Sequence, residues 1–310
     1  MANIFDIKDL GPIQNYLGIQ IDRNMADKSM ILNQTEYIQK ILNKFNMHES
    51  KPASTPMDTK FSHEYSTDQA MPEDIRWYQA AIGSLLYAAL GTRPDILFAV
   101  ISLGRYASNP NEKHISAVKR VFRYLRNSAD FGIKFSADST SEYLTGYADS
   151  SYVSEKSTCK SISGYVFYLA NGPVTFQSKL QSIVAQSSTE AEYIALCNSA
   201  KEAAFLFNLM IELGQLKQEN IPIFVDNNGA IQLSKNPVYH ARTKHINVRF
   251  HFIREKLADS TISVHYIQSK DQKADGLTKA LPKIGHIKFL KQLNMVKATD
   301  EKNALNMGVC

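Results

Sequence analysis

Between residues 143 and 290 the order of secondary-structure signals leaves few folds open. Tyr143–Asp149, Ile162–Leu169 and Val174–Ser178 are short runs rich in β-branched and aromatic residues, separated by Ser- and Gly-containing turns, and read as three strands. Glu190–Leu213 follows as the longest helical pattern in the chain, closed by Gly214. Ile221–Val225 reads as a short buried strand, Asn227–Ser234 and His245–Leu257 as helices, Thr261–Ile267 as a strand and Asp271–Lys279 as a last short helix. Three linked strands followed by alternating helix and strand require an α/β layout with one mixed central sheet. No repeat of domain-array length and no low-complexity tract competes with this reading.

The region before residue 135 has a different rhythm. A hairpin is expected from Tyr16–Ile21 and Ser29–Leu32, with Asn24–Lys28 as its turn, and then a helix over Thr35–Phe45. Pro52 and Pro56 keep the next stretch extended, since proline lacks the donor a helix needs. Helices follow over Glu73–Leu90, from Pro94 onward, and over Glu112–Arg126. The last carries an apolar stripe (Ile115, Val118, Phe122, Leu125) and a basic flank (Lys119, Arg120, Arg123, Arg126). A length of 310 residues suits two domains, and the polar stretch Ser136–Glu142 is the expected boundary.

Composition narrows the class without naming a function. Apolar residues make up 44% and charged residues 21%, which excludes a disordered chain or a collagen. Cys159, Cys197 and Cys310 are odd in number and far apart, so neither a disulfide framework nor a zinc ribbon is expected, and an intracellular, reducing compartment is favoured. The first ten residues carry Asp6 and Asp9 and do not resemble a secretory signal. The apolar stretch Ile82–Leu90 is too short to span a membrane, so no membrane partner is expected. The net charge of +5 is small, but it is an average over two basic helices: Lys235–Lys256 holds six Lys or Arg against Glu255 alone, and Glu112–Arg126 holds five against Glu112 alone.

Several carboxylates sit at the ends of elements. Asp149 ends one apparent strand and Asp226 another; Glu190 and Glu192 lie in the first turn of the long helix, after Ser187-Ser188-Thr189; Asp275 lies in the last helix. Each has an ordinary explanation. Strand-end acids are commonly solvated turn residues, Ser-Ser-Thr-Glu-Ala-Glu is a plausible capping box, and Asp275 suits a helix surface. Together they allow another: strands ending at one sheet edge bring their terminal acids together, and such a cluster becomes favourable when it holds hard divalent cations. Two such ions can promote phosphodiester hydrolysis.

The residues carry a resemblance that favours the second reading. Ser187-Ser188-Thr189-Glu190-Ala191-Glu192-Tyr193-Ile194-Ala195, Val225-Asp226-Asn227-Asn228-Gly229-Ala230-Ile231, Arg242-Thr243-Lys244-His245-Ile246, Phe250-His251-Phe252-Ile253-Arg254-Glu255 and Ala274-Asp275 with Thr278-Lys279 resemble, in order, the ribonuclease H segment of copia-type retrotransposon polyproteins. Leu10-Gly11-Pro12 with Tyr16-Leu17-Gly18-Ile19 resembles the late palm region of the same family's reverse transcriptase, and Thr92-Arg93-Pro94-Asp95-Ile96 its connecting segment. The resemblance implies a ribonuclease H-like mixed central sheet flanked by helices over 141–290. A mostly helical reverse-transcriptase remnant and connection segment would precede it over 1–135, and a tail would follow over 291–310.

The resemblance also implies a site. Asp149 would bridge two Mg²⁺ ions (Mn²⁺ as substitute), Glu192 and Asp226 would complete one metal position and Asp275 the other. Glu192 is preferred to Glu190 because Tyr193-Ile194-Ala195 follows it, which leaves Glu190 as the cap. The basic helix then offers Arg242, Lys244, His245 and Arg249 to the phosphates of an RNA/DNA hybrid, with Ile246, Phe250, Ile253 and Leu257 facing inward. A solvated helix face is the alternative, and the histidines have no convincing zinc spacing.

The sequence departs from the family in two places. Ser150-Ser151-Tyr152 stands where a serine, an acid and a tryptophan are usual, and Cys159-Lys160-Ser161-Ile162-Ser163-Gly164 replaces the usual Arg-Lys-Ser-Thr-Ser-Gly. Gln268–Gln272 lacks the histidine that many cellular ribonucleases H carry before the last acid. No Tyr-x-Asp-Asp occurs, so the polymerase site is expected in an upstream reverse-transcriptase portion, a partner rather than part of this chain. The expected function is cleavage of the RNA strand of RNA/DNA hybrids with no small-molecule cofactor. The alternative is an inert nucleic-acid-binding remnant.

Overall fold

The computed structural model describes residues 11–61, 64–137, 142–155, 157–235 and 247–298, with the side chains of 247–250 outside that description. Two five-stranded sheets organise the chain. The first is built from β1 (Asn15–Tyr16), β2 (Ile19–Asn24), β3 (Ser29–Asn33), β4 (Phe131–Ser136) and β10 (Met295–Lys297), each antiparallel to its neighbour in that order. The expected hairpin is β2–β3. Two of the other strands are not apparent from sequence: β4, and β10, which pairs Met295 with Ile133 inside the segment expected to be a tail.

Between β3 and β4 lie α1 (Thr35–Lys44), α2 (Pro72–Gly91), a 3₁₀ turn at Pro94–Ile96, α3 (Leu97–Gly104) and α4 (Glu112–Asn127). α4 starts where it does because Asn111 caps it. The Asn111 side chain accepts from the His114 N–H at 3.0 Å, and His114 Nδ1 accepts from the Asn111 N–H at 3.1 Å. Its stripe of Val118, Val121, Phe122 and Leu125 is fully buried. Of the basic flank, Lys119 is exposed but the three arginines are engaged by the chain. Arg120 donates to Thr55, Arg123 to the Lys51 carbonyl and Arg126 to the Ser50 carbonyl. These arginines hold down the proline-containing strand of chain, whose carbonyls lack secondary-structure partners.

The second sheet has the order β7–β6–β5–β8–β9, formed by β5 (Thr145–Glu155), β6 (Lys160–Leu169), β7 (Gly172–Leu180), β8 (Ile221–Val225) and β9 (Ile262–Tyr266). β5, β6 and β7 pair antiparallel, while β8 and β9 join parallel. α5 (Ser188–Glu212), α6 (Asn228–Lys235) and α7 (Asn247–Ala258) cover one face. This is the ribonuclease H-like mixed sheet flanked by helices that the sequence leads one to expect. Leu144, Ala148, Phe167, Tyr193, Leu196, Ile223 and Ile253 pack together on that face. α5 is the one described helix long and apolar enough to cross a bilayer; here it packs along the sheet.

The other face does not stand alone. Tyr147, Ile162, Val166 and Tyr168 share one continuous buried cluster with α1 to α4 and with Leu277, Phe289 and Leu293. Phe289 belongs to α8 (Lys283–Gln292), a helix the sequence reading does not anticipate. The expected helix over Asp271–Lys279 is instead two separate 3₁₀ turns, Ser269–Asp271 and Asp275–Leu277. The 3₁₀ turn of the first region, Pro94–Ile96, touches the second of these directly.

Candidate metal centre

The site starts at the point where two parallel strands stop pairing. Tyr147 on β5 is the last residue registered with β8, opposite Phe224. Two residues further on come Asp149 and Asp226, so both carboxylates emerge past the same edge of the parallel ladder. Asp149 nevertheless does not end its strand, as the sequence pattern suggests. β5 continues through Asp149, paired antiparallel with Gly164 on β6 and onward to Ser151. The ladder with β6 carries the strand past the point where β8 departs.

The first turn of α5 lies over this edge and separates its two glutamates. The Ser187 hydroxyl accepts from the Glu190 N–H at 3.1 Å, and Glu190 Oε2 accepts from the Gln186 N–H at 2.8 Å. Glu190 is thus engaged in capping. Glu192 turns to the strand edge, where its Oε1 accepts from the Ser150 N–H at 3.2 Å. α6 begins close by because Asn227 caps it, accepting from the Ala230 N–H at 3.0 Å. A Cβ at Gly229 would meet Thr189 at 2.9 Å, so glycine lets the two helix starts approach.

Asp149, Glu192 and Asp226 each present a carboxylate oxygen within 4.8 Å of the other two. Asp149 is 5% exposed and Glu192 7%. Burial, with Asp275 and Asp226 adding their charge, pushes Asp149 up to about 7 against a hydrogen bond from Thr278 that lowers it. Burial, with Asp149 and Asp226 nearby, pushes Glu192 up to about 9. Glu192 Oε2 is buried with no hydrogen-bond partner among the described residues. Converging oxygens, like charge and a buried acceptor without a donor together suit a hard divalent cation.

Asp275 stands beside this group and not within it. It opens the 3₁₀ turn Asp275–Leu277, and its Oδ1 lies 2.5 Å from Lys279 Nζ. The same turn steadies Asp149, whose Oδ2 accepts from the Thr278 hydroxyl at 2.6 Å. Gln272 Nε2 donates to the Ala148 carbonyl at 3.0 Å and fastens the preceding loop to β5. Gly164 makes the approach possible, since a Cβ there would lie 2.9 Å from both Leu277 and Thr278.

Residues 1–59 match the family model described as reverse transcriptase (RNA-dependent DNA polymerase). The chain is 40% identical over 291 residues to the retrovirus-related Pol polyprotein from transposon TNT 1-94 of Nicotiana tabacum, covering 91% of this chain and 22% of that protein. It is 34% identical over 297 residues to the retrovirus-related Pol polyprotein from transposon RE2 of Arabidopsis thaliana, covering 96% of this chain and 20% of that one. The chain belongs to the copia-type retrotransposon Pol polyproteins. It spans about a fifth of the length of these curated relatives. Among solved structures, the ribonuclease H1 of Halobacterium salinarum NRC-1 aligns at 18% identity with a TM-score of 0.32, over 44% of this chain and 94% of that one.

In this copia-type segment, then, the fold brings together three of the four expected acids and sets Asp275 next to them. Of the residues expected to touch nucleic acid, Arg242, Lys244 and His245 lie outside the described residues. Arg249 lies on α7 with its side chain outside the description. Ile253 is fully buried and Leu257 partly so, as the inward face requires. Sequence reasoning missed the groups that hold the acids in place: the Ser150 N–H, Gln272, Thr278 and Lys279. Thr278 and Lys279 belong to a motif of the copia-type family, but nothing in their spacing says which acid each one meets.

Proposed function

We propose that this chain is a metal-dependent endoribonuclease of the ribonuclease H type, cutting the RNA strand of RNA/DNA hybrids as part of a longer Pol polyprotein. The observation that carries this reading is the buried convergence of Asp149, Glu192 and Asp226, with no donor to Glu192 Oε2 among the described residues. Three acids at one sheet edge destabilise the fold unless they serve a ligand, and perturbed carboxylates cluster at functional sites. Asp149, Glu192 and Asp226 would hold one cation, and Asp149 with Asp275 a second. Mg²⁺, or Mn²⁺ in its place, would supply charge stabilisation at the scissile phosphate and a more acidic water. The Ser150 N–H orients Glu192, and the Thr278 hydroxyl orients Asp149. Arg242, Lys244, His245 and Arg249 would grip hybrid phosphates without reading sequence, while RNA would be chosen through its 2′-hydroxyls. The upstream reverse-transcriptase portion is the natural partner, supported by the family match over residues 1–59.

The test is incubation of the purified chain with a hybrid labelled on each strand, with Mg²⁺ or with a chelator. The RNA strand alone should be cut, only with metal, and Asp226→Asn should fall to background. Absence of cleavage, or cleavage by Asp226→Asn at the wild-type rate, would overturn the reading.

A further inference from the structure

Lys279 carries a positive charge into an otherwise acidic site. Its Nζ is 2.5 Å from Asp275 Oδ1, four residues back, and its charge also acts on Asp149 and Asp226. Its predecessor Thr278 donates to Asp149. Adjacent residues of one short turn therefore hold two of the four expected acids, but in different ways. The Thr278 hydroxyl keeps Asp149 within the three-carboxylate group. The Lys279 ammonium occupies Asp275, which lies outside that group.

The two anchors also differ in how easily they release. Thr278 and Asp149 are buried, whereas the Lys279 side chain is 50% exposed and that of Asp275 33%. An ion pair at a solvent-facing rim is weak enough to exchange partners. The lysine stem has four rotatable bonds, and a phosphodiester is a stronger acceptor field than one carboxylate when it arrives with its neighbours along a strand. A monovalent ammonium and a divalent cation compete for the same oxygen, because their like charges cannot share it closely.

We propose that Lys279 is a positioning residue that keeps Asp275 out of the three-carboxylate group, and that transfer of its ammonium to a hybrid phosphate frees Asp275 to join Asp149 in holding a second cation. The site thus accepts one ion readily and completes itself only on substrate. This inference rests on the nuclease reading of the same acids, but its test does not depend on cleavage.

The test is a Mn²⁺ titration of the full chain, followed by electron paramagnetic resonance, with and without a hybrid whose RNA strand is 2′-O-methylated. Without hybrid, the wild type should bind one ion tightly and a second weakly. Lys279→Met should tighten the second ion by about tenfold and leave the first unchanged, as expected for removing one nearby charge. Lys279→Arg, which keeps a cation on Asp275, should restore wild-type behaviour, and Lys279→Met with Asp275→Asn should lose the second ion altogether. Hybrid should tighten the second ion in the wild type and have little effect in Lys279→Met. Equal binding of two ions by the wild type without hybrid, or an unchanged second ion in Lys279→Met, would overturn the proposal. If the metal behaviour is as described but no hybrid is ever cut, the role of Lys279 stands and the nuclease reading falls. If hybrid is cut while Lys279→Met binds metal like the wild type, the nuclease reading stands and this one falls.

Discussion

Two of the buried ionic clusters among the described residues treat charge in opposite ways. In the first, Arg93 is fully buried and reaches Asp95 through Nε at 2.9 Å and Nη2 at 2.7 Å. Nη1 and Nη2 also donate to the Ser128 carbonyl and hydroxyl, Tyr124 donates to Asp95 at 2.6 Å, and His286 on α8 stands 2.8 Å from the Tyr124 oxygen. Burial opposes the Asp95 charge, but Arg93 and the Tyr124 hydroxyl outweigh it and hold the carboxyl below its usual range. In the second cluster, Asp149, Glu192 and Asp226 gather with the part-exposed Lys279 ammonium paired to Asp275 beside them, and burial pushes two of the three upward. The chain can bury charge in a compensated form. Where three acids gather beside the part-exposed Lys279, two of them are held above their ordinary range, a perturbation of the kind that clusters at functional sites.

The largest effect should come from breaking the compensated cluster. Arg93→Met leaves Asp95 buried without its partner and should cost about 3–5 kcal/mol in urea unfolding. A loss below about 1 kcal/mol would mean the pair is not dry, and the contrast with the acid group would collapse. Because His286 links this cluster to α8, and Phe289 of α8 packs against Gly276, loosening here should also lower hybrid cleavage.

Titration should separate the clusters next. Asp149 and Glu192 have folded values of about 7 and about 9, above their ordinary 3.8 and 4.5. Above the ordinary values the folded state holds more protons than the unfolded chain, so stability falls as pH rises through that window. Asp95 works the other way. Its contribution is present above 3.8 and is lost only as pH falls through its lowered folded value. Thermal melting from pH 4 to pH 9 without divalent ions should therefore show a steady decline, and saturating Mg²⁺ should flatten it, since binding to the folded state alone stabilises. A curve that is already flat without Mg²⁺ would place the acid group in water.

Neutralising one acid tests the same contrast from the other side. Glu192→Gln should raise stability at neutral pH by about 1–2 kcal/mol without metal, because a carboxyl that must take up a proton to be buried is replaced by an amide that is already neutral. The same change should reduce hybrid cleavage by at least about 100-fold, which is within the several kcal/mol a metal site supplies. Stabilisation with loss of activity is the signature of a site held against folding. Destabilisation would put Glu192 on the structural side.

Much of this arrangement is legible in the sequence where local signals are strong. The β5, β6 and β7 strands, the long α5 and the cap at Ser187 follow from alternation, helical period and a hydroxyl before a glutamate. Asp149 and Asp226 stand out as acids at the ends of apolar runs. The misses share a cause: non-local contact. β4 and β10 are six and three residues long and exist because β4 pairs with β3 on one side and with β10 on the other. The arginines of α4 look free because nothing in their own segment shows that Ser50, Lys51 and Thr55 return to them. Thr278 meets Asp149 across 129 residues, and no spacing rule anticipates that.

The smallest effect decides between two neighbouring glutamates on one helix. Glu190 and Glu192 are both nearly buried and two residues apart, yet only Glu192 is among the converging acids. Glu190 Oε2 accepts from the Gln186 backbone, so its charge is used at the positive end of the α5 dipole. Glu190→Gln keeps an acceptor oxygen there and should cost about 0.5–1 kcal/mol, the usual worth of a charge at a helix start. It should leave hybrid cleavage and Mn²⁺ binding close to wild type, while Glu192→Gln removes both. If Glu190→Gln weakens Mn²⁺ binding as much as Glu192→Gln does, the α5 start is part of the metal site. The division between a capping acid and a metal-holding acid then fails, and with it the claim that this helix keeps its structural and ligand-binding charges apart.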